Sequence, residues 1–142
     1  MLPLQLSRPL MPAVTVLVID QTVAAGFPSP AEDHAQKRID LNDVLLKNPV
    51  SSFLLRIAGP SMRDAGIDDG DAVIVDRALN AKHGDIVIAI VEGEFCVKKL
   101  YRRSGRVKLQ AANPTFPDIV PREGQTLEVW GVVTACIKRF VK

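Results

Sequence analysis

Ser61 is the residue with the clearest chemical context in the chain. It follows an apolar run, Phe53-Leu54-Leu55-Arg56-Ile57-Ala58, and stands directly after Gly59-Pro60. Gly-Pro forces the backbone to turn, and a serine just past such a turn can present its hydroxyl away from the sheet. A serine hydroxyl is a weak nucleophile and needs a base beside it. His34 and His83 lack a triad-like context. A lysine can serve instead, provided burial lowers its ordinary pKa of about 10.4 by roughly three units so that it is neutral. Phe95-Cys96-Val97-Lys98-Lys99-Leu100 offers two candidates in an apolar strand. Neighbouring strand residues face opposite ways, so Lys98 shares a face with Cys96 and Leu100, and Lys99 with Val97 and Tyr101. Both faces are apolar, and pattern alone does not choose between the lysines. A third element is Val23-Ala24-Ala25-Gly26, a small-residue stretch of the kind found at cleavable bonds. Each feature also has a plain reading: a turn serine, solvated lysines, a loop.

These residues need a scaffold, and the sequence points to strands. Residues 1–28 form an arm punctuated by Pro3, Pro9, Pro12 and Pro28, in which the apolar residues of 13–19 can make a strand. Ser29-Pro30-Ala31-Glu32 has the form of a helix start, with a helical stretch to about Lys37. A second short helix is expected over 40–46, capped by Asp40 and ended by Pro49. From Ser52 onward strands and turns alternate. They run over 53–58, 72–76, 86–91 and 94–101, with a two-residue turn at Glu92-Gly93, and over 106–110 after Ser104-Gly105. Residues 126–142 carry one long strand or two, with Gly131 a candidate bulge.

Composition narrows the classes. The 142 residues suit one ordinary domain and can bury a core without disulfides or metals. Seventeen Val and ten Ile against seven aromatics favour β-structure. Eighteen basic and sixteen acidic residues give a net charge of +2, so no broad phosphate-neutralising surface is indicated. Cys96, Cys136, His34 and His83 do not form a zinc pattern or a disulfide scaffold, and no metal or cofactor is expected. No apolar run approaches the roughly 20 residues of a membrane span. Arg8 followed by an apolar stretch and Val23-Ala24-Ala25 imitates an export signal, but Pro12 interrupts it and Asp20-Gln21 closes it.

Taken together, the motifs resemble a known family. Gly59-Pro60-Ser61-Met62 followed by Gly66-Ile67-Asp68-Asp69-Gly70-Asp71 is similar to the nucleophile segment of the LexA-type self-cleaving serine peptidases. His83-Gly84-Asp85-Ile86-Val87-Ile88-Ala89, then Gly93-Glu94-Phe95 and Val97-Lys98-Lys99-Leu100, is similar to their general-base segment. Gly26-Phe27-Pro28-Ser29-Pro30-Ala31, Arg38-Ile39-Asp40-Leu41-Asn42 and Gly131-Val132-Val133 resemble the UmuD-like SOS mutagenesis branch. The resemblance runs from about Ala25 to the C-terminus. By position it implies Ser61 as nucleophile, Lys98 as general base and Ala25–Gly26 as the self-cleaved bond.

The resemblance further implies a mainly β fold, a compact twisted antiparallel β-domain of the β-clip type, with a flexible N-terminal arm and short helices. Residues 1–25 would be a removable arm, 26–50 a linker with short helices, and 51–142 the Ser–Lys peptidase-like domain. A cytoplasmic homodimer is implied, cutting itself on a RecA–single-stranded DNA filament. Its trimmed form would join a UmuC-like Y-family polymerase in translesion synthesis, with no membrane partner and no strong direct binding to nucleic acid. Only 25 residues precede the bond, without a helix-turn-helix pattern, so the repressor branch fits less well. One departure stands out: Pro60 has no N–H to offer an oxyanion hole. Two other classes remain at this level. One is a β-rich interaction module with a degenerate dyad. The other is a nucleic-acid binder using Lys98, Lys99, Arg102, Arg103, Arg106 and Lys108 with Tyr101.

Overall fold

The β-branched run Ile86-Val87-Ile88-Ala89-Ile90-Val91 makes the strand on which the main sheet is assembled. The computed structural model describes residues 14–19, 22–27 and 35–141. They fall into two compact units, one up to Lys47 and one from Asn48 onward.

In the first unit, strand β1 (Thr15–Ile19) pairs antiparallel with β2 (Ala35–Asp40), in a register that sets Thr15 opposite Asp40 and Leu17 opposite Arg38. Arg38 crosses the pair, donating from Nε to Thr15 Oγ1 at 2.9 Å and from its guanidinium to the Thr15 carbonyl at 3.0 Å. The helical stretch expected over 29–37 is corrected here. Ala35, Gln36 and Lys37 are strand, and residues 29–34 lie outside the described residues. A local capping signal gives way to a pairing with residues some twenty positions earlier, which no local window contains. Helix α1 (Leu41–Leu45) begins as expected, with the Asp40 carboxylate accepting the Asn42 N–H at 2.9 Å. It stops before Pro49, which opens a separate 3-10 turn over Pro49–Ser51.

The second unit holds a six-stranded sheet. Its strands are β3 (Ser52–Arg56), β4 (Ala72–Asp76), β5 (Ile86–Val91), β6 (Glu94–Arg103), β7 (Arg106–Gln110) and β8 (Leu127–Ile137). The spatial order is β3-β4-β8-β5-β6-β7, and every neighbouring pair is antiparallel. The hairpins turn at Glu92-Gly93 and Ser104-Gly105, where all four residues have positive φ, the geometry that matches strand twist in a two-residue turn. The C-terminal segment is one strand, β8. Its register slips opposite Ile88/Ala89, beside Gly131, and again opposite Ile74/Val75.

Alternation along β5 divides the core. Ile88 joins a cluster with Ile57, Met62, Ile67, Val73 and Val75, whereas Val87 and Ala89 join Leu100, Leu109 and Val132. Buried Asp76 anchors the start of the unit to β4. Its carboxylate accepts from Asn48 at 2.6 Å, Ser51 at 2.7 Å and the Ala78 N–H at 2.8 Å. These donors hold its pKa below the ordinary aspartate value. No helix among the described residues is long and apolar enough to cross a membrane.

Candidate catalytic site

β3 ends at Arg56, and the chain then leaves the sheet through Ile57-Ala58-Gly59-Pro60-Ser61-Met62. Gly59 sits at φ 91°, a conformation that strains any residue with a Cβ. Its N–H donates to Asp69 Oδ1 at 2.7 Å, which ties the turn to the loop that follows it. Ile57 and the 70–71 segment exchange two backbone bonds, Ile57 N–H to Asp71 O at 2.7 Å and Gly70 N–H to Ile57 O at 2.8 Å. Immediately after Ser61, Met62 is almost fully buried. Burying a side chain of this size is worth about 1.5–3 kcal/mol, so Met62 pins the turn while Ser61 next to it stays half-buried. A 3-10 turn at Arg63–Ala65 then closes on Gly66, at φ 83°.

Lys98 lies in β6 opposite Val87 of β5, and 9% of its surface is accessible, while Lys99 is exposed. Lys98 Nζ is 2.9 Å from Ser61 Oγ. Burial pulls the pKa of its ammonium below the ordinary value near 10.5, and the neighbouring Cys96 acts in the opposite direction without outweighing it. Desolvation disfavours the charged form, which is the condition a lysine base requires. As an ammonium, Lys98 donates to Oγ. As a neutral amine, it accepts the Ser61 proton along the same contact.

The opposite wall is the segment after β7. Lys99 is paired with Gln110, so residues 111–113 continue alongside the stretch that carries Lys98. The Ala112 N–H donates to Ser61 O at 2.8 Å, and Ala112 O accepts the Asp64 N–H at 2.7 Å. Buried Asn113 donates from Nδ2 to Pro60 O at 2.9 Å. Its Oδ1 accepts from the Thr115 N–H at 3.1 Å and from the Thr115 hydroxyl at 2.9 Å. In the sequence these residues have the form of a loop. An Asn-Pro after a strand looks like a turn, and its second role is visible only once the turn sits against Ser61.

A mostly apolar cleft of about 300 Å³ borders the site, lined by Leu55, Arg56, Ile57 and Ala58 on one side and Phe95, Cys96 and Val97 on the other. Cys96 is half-buried, and Cys136 is exposed rather than part of the core, with Sγ 3.5 Å from Asp71 Oδ2. The structure therefore brings Ser61 and Lys98 together. Ala25 and Gly26 belong to the first unit, in an exposed bend over residues 25–27 on the connection between β1 and β2. Gly26 has no positive φ and nothing near its missing Cβ, so the strained backbone that a glycine there would permit is not adopted.

Residues 17–134 match the family described as Peptidase S24-like. The chain is 44% identical over 117 residues to protein ImpA of Salmonella typhimurium, covering 81% of this chain and 78% of that protein. It is 41% identical over 115 residues to protein MucA of Escherichia coli, with 80% and 78% covered. Similarity extends to the LexA repressor of Bordetella pertussis, 37% identical over 134 residues, which is 94% of this chain and 61% of the repressor.

Proposed function

We propose that this chain, which belongs to the Peptidase S24-like family, is a self-cleaving SOS-response protein that cuts its own Ala25–Gly26 bond. The observation that supports this most directly is the 2.9 Å contact between Ser61 Oγ and the buried, pKa-lowered Lys98. Neutral Lys98 takes the hydroxyl proton as Ser61 Oγ adds to the Ala25 carbonyl carbon. The tetrahedral intermediate collapses with loss of the Gly26 nitrogen, which leaves as an amine after taking that proton back from Lys98. Water, deprotonated by Lys98, then hydrolyses the Ala25–Ser61 ester. The apolar cleft beside the dyad suits small side chains such as those of Val23, Ala24 and Ala25. Tethering the bond to the site supplies a high effective concentration, so a modest dyad suffices.

Residues 1–25 are then the removable arm, 26–50 a linker and 51–142 the peptidase-like domain. Resemblance to the UmuD-like branch adds the setting: a cytoplasmic homodimer, stimulated by a RecA–single-stranded DNA filament, whose trimmed form serves a UmuC-like translesion polymerase. Intact-mass measurement tests the cleavage, with and without the filament and at raised pH. A species beginning at Gly26, absent from Ser61→Ala, is the expected result. A chain that stays whole in every condition overturns the proposal in favour of a non-catalytic interaction module.

A further inference from the structure

We infer that Asn113 is a positioning residue for self-cleavage, one that orients the Ser61 N–H as an oxyanion donor by holding the Pro60 carbonyl. The inference rests on the Ser61 reading above. It starts from a deficit, because Pro60 carries no N–H, so the residue before the nucleophile contributes nothing to an oxyanion hole. The donor closest to the reacting oxygen is then the N–H of Ser61 itself, a group that serine hydrolases of other folds also use. Its direction is not free. The Pro60–Ser61 peptide is trans, so its C=O and N–H point to opposite sides of one plane. Whatever holds the carbonyl therefore aims the N–H.

Two donors hold that carbonyl, Asn113 Nδ2 at 2.9 Å and, from within the turn itself, the Arg63 N–H at 3.2 Å; the side-chain donor is the shorter. The amide cannot turn over without losing its other contacts, since Oδ1 is occupied by both the N–H and the hydroxyl of Thr115. Asn113 is buried, so solvent does not compete for these bonds. One residue further on, the Ala112 N–H holds Ser61 O in the same way. Both peptides flanking the nucleophile are thus fixed from the 112–113 side, and the Ser61 N–H is directed away from it. A donor that is already aimed needs no reorganisation as charge develops, and this is where such groups gain their effect.

The test uses the full-length chain, with self-cleavage followed by intact mass across a pH series. Asn113→Asp is isosteric, keeps an acceptor for both Thr115 bonds, and replaces the donor to Pro60 with a carboxylate oxygen that repels that carbonyl. It is expected to cut about 10- to 100-fold more slowly than wild type at every pH. Asn113→Ala should slow cutting similarly where it folds, and because it adds no charge and leaves Lys98 and its contact with Ser61 untouched, the midpoint of its pH profile should not move. Thr115→Val, which removes only the hydroxyl steadying the amide, should show a smaller loss in the same direction. A purely structural role in the 113–116 turn predicts wild-type rates for Asn113→Asp, and that result overturns the inference. Wild type that cuts while Ser61→Ala does not establishes the reading underneath. Wild type that never cuts, or Ser61→Ala that does, removes both.

Discussion

Lys98 is buried at a price in stability, and pH exposes it. Its folded-state pKa lies below the ordinary 10.5, so between those two values the unfolded chain binds the extra proton. Stability contributed at this residue is complete above pH 10.5 and falls away as pH drops toward the folded value. Lys98→Met should therefore raise the thermal midpoint at neutral pH, with the gain vanishing above the ordinary lysine range. The cleavage rate follows the same titration in the favourable direction. It should climb with pH until Lys98 is neutral and then level off. Lys98→Ala should abolish cutting, while Lys99→Ala, whose side chain is exposed, should leave it intact. Thermal melts of Lys98→Met and intact mass on the two alanine variants separate these outcomes, and loss of cutting in Lys99→Ala alone would reverse the assignment. The choice between the lysines was closed to sequence pattern because both faces of β6 are apolar. It becomes visible only when β7 and the Ser61 turn are packed around the strand.

At the scale of elements, β8 approaches its neighbour closely at one glycine. A Cβ added at Gly131 would lie 2.6 Å from Val75 Cγ1 and 3.3 Å from Asp76 O. β4 must yield or the bulge must move, so Gly131→Ala should destabilise the chain by about 1–3 kcal/mol, read as a lower urea midpoint. The far end of β8 is tied down differently. Lys138 reaches Asp68 at 2.7 Å and Asp71 at 2.5 Å, and its bond to Asp71, with the Asp68 N–H as a second donor, holds Asp71 below the ordinary value of 3.8. That contribution is present above pH 3.8 and lost as pH falls through the lowered value. Lys138→Met should thus lower the thermal midpoint at neutral pH and narrow the gap to wild type in strong acid. The hairpins of the main sheet were legible because Glu92-Gly93 and Ser104-Gly105 are local signals between alternating strands. β2 was not, because its identity as strand depends on β1, some twenty residues away, while Ser29-Pro30 gave a helical signal nearby. The same limit hid Asn113, whose neighbours in sequence describe a turn and whose neighbour in space is Pro60.

For the whole molecule, the proposed cut changes pairing rather than charge. Residues 1–25 contain one basic residue, Arg8, and one acidic residue, Asp20, so their loss leaves the net side-chain charge unchanged. Ala25 and Gly26 lie on the connection that makes β1 and β2 a single hairpin. A two-stranded pair is marginal by itself, and intact connectivity keeps the effective concentration of β1 high. Once the bond is broken, what holds β1 among the described residues is its short pairing with β2 and the two Arg38 contacts to Thr15. It should depart, taking the exposed apolar side chains of Val16, Leu17 and Ile19 with it and leaving the backbone groups of β2 unpaired. An unpaired edge of this kind is a template for another strand, whether from a second copy or from a different protein. Hydrogen exchange over residues 35–40 is the direct measurement. Those amides should be protected in the whole chain and exchange faster in the trimmed chain at low concentration. Protection should return as concentration rises if β2 finds a second copy. Unchanged protection after cutting, with the 1–25 peptide still bound through gel filtration, would mean that the cut leaves the hairpin in place and that the switch does not work by releasing β2.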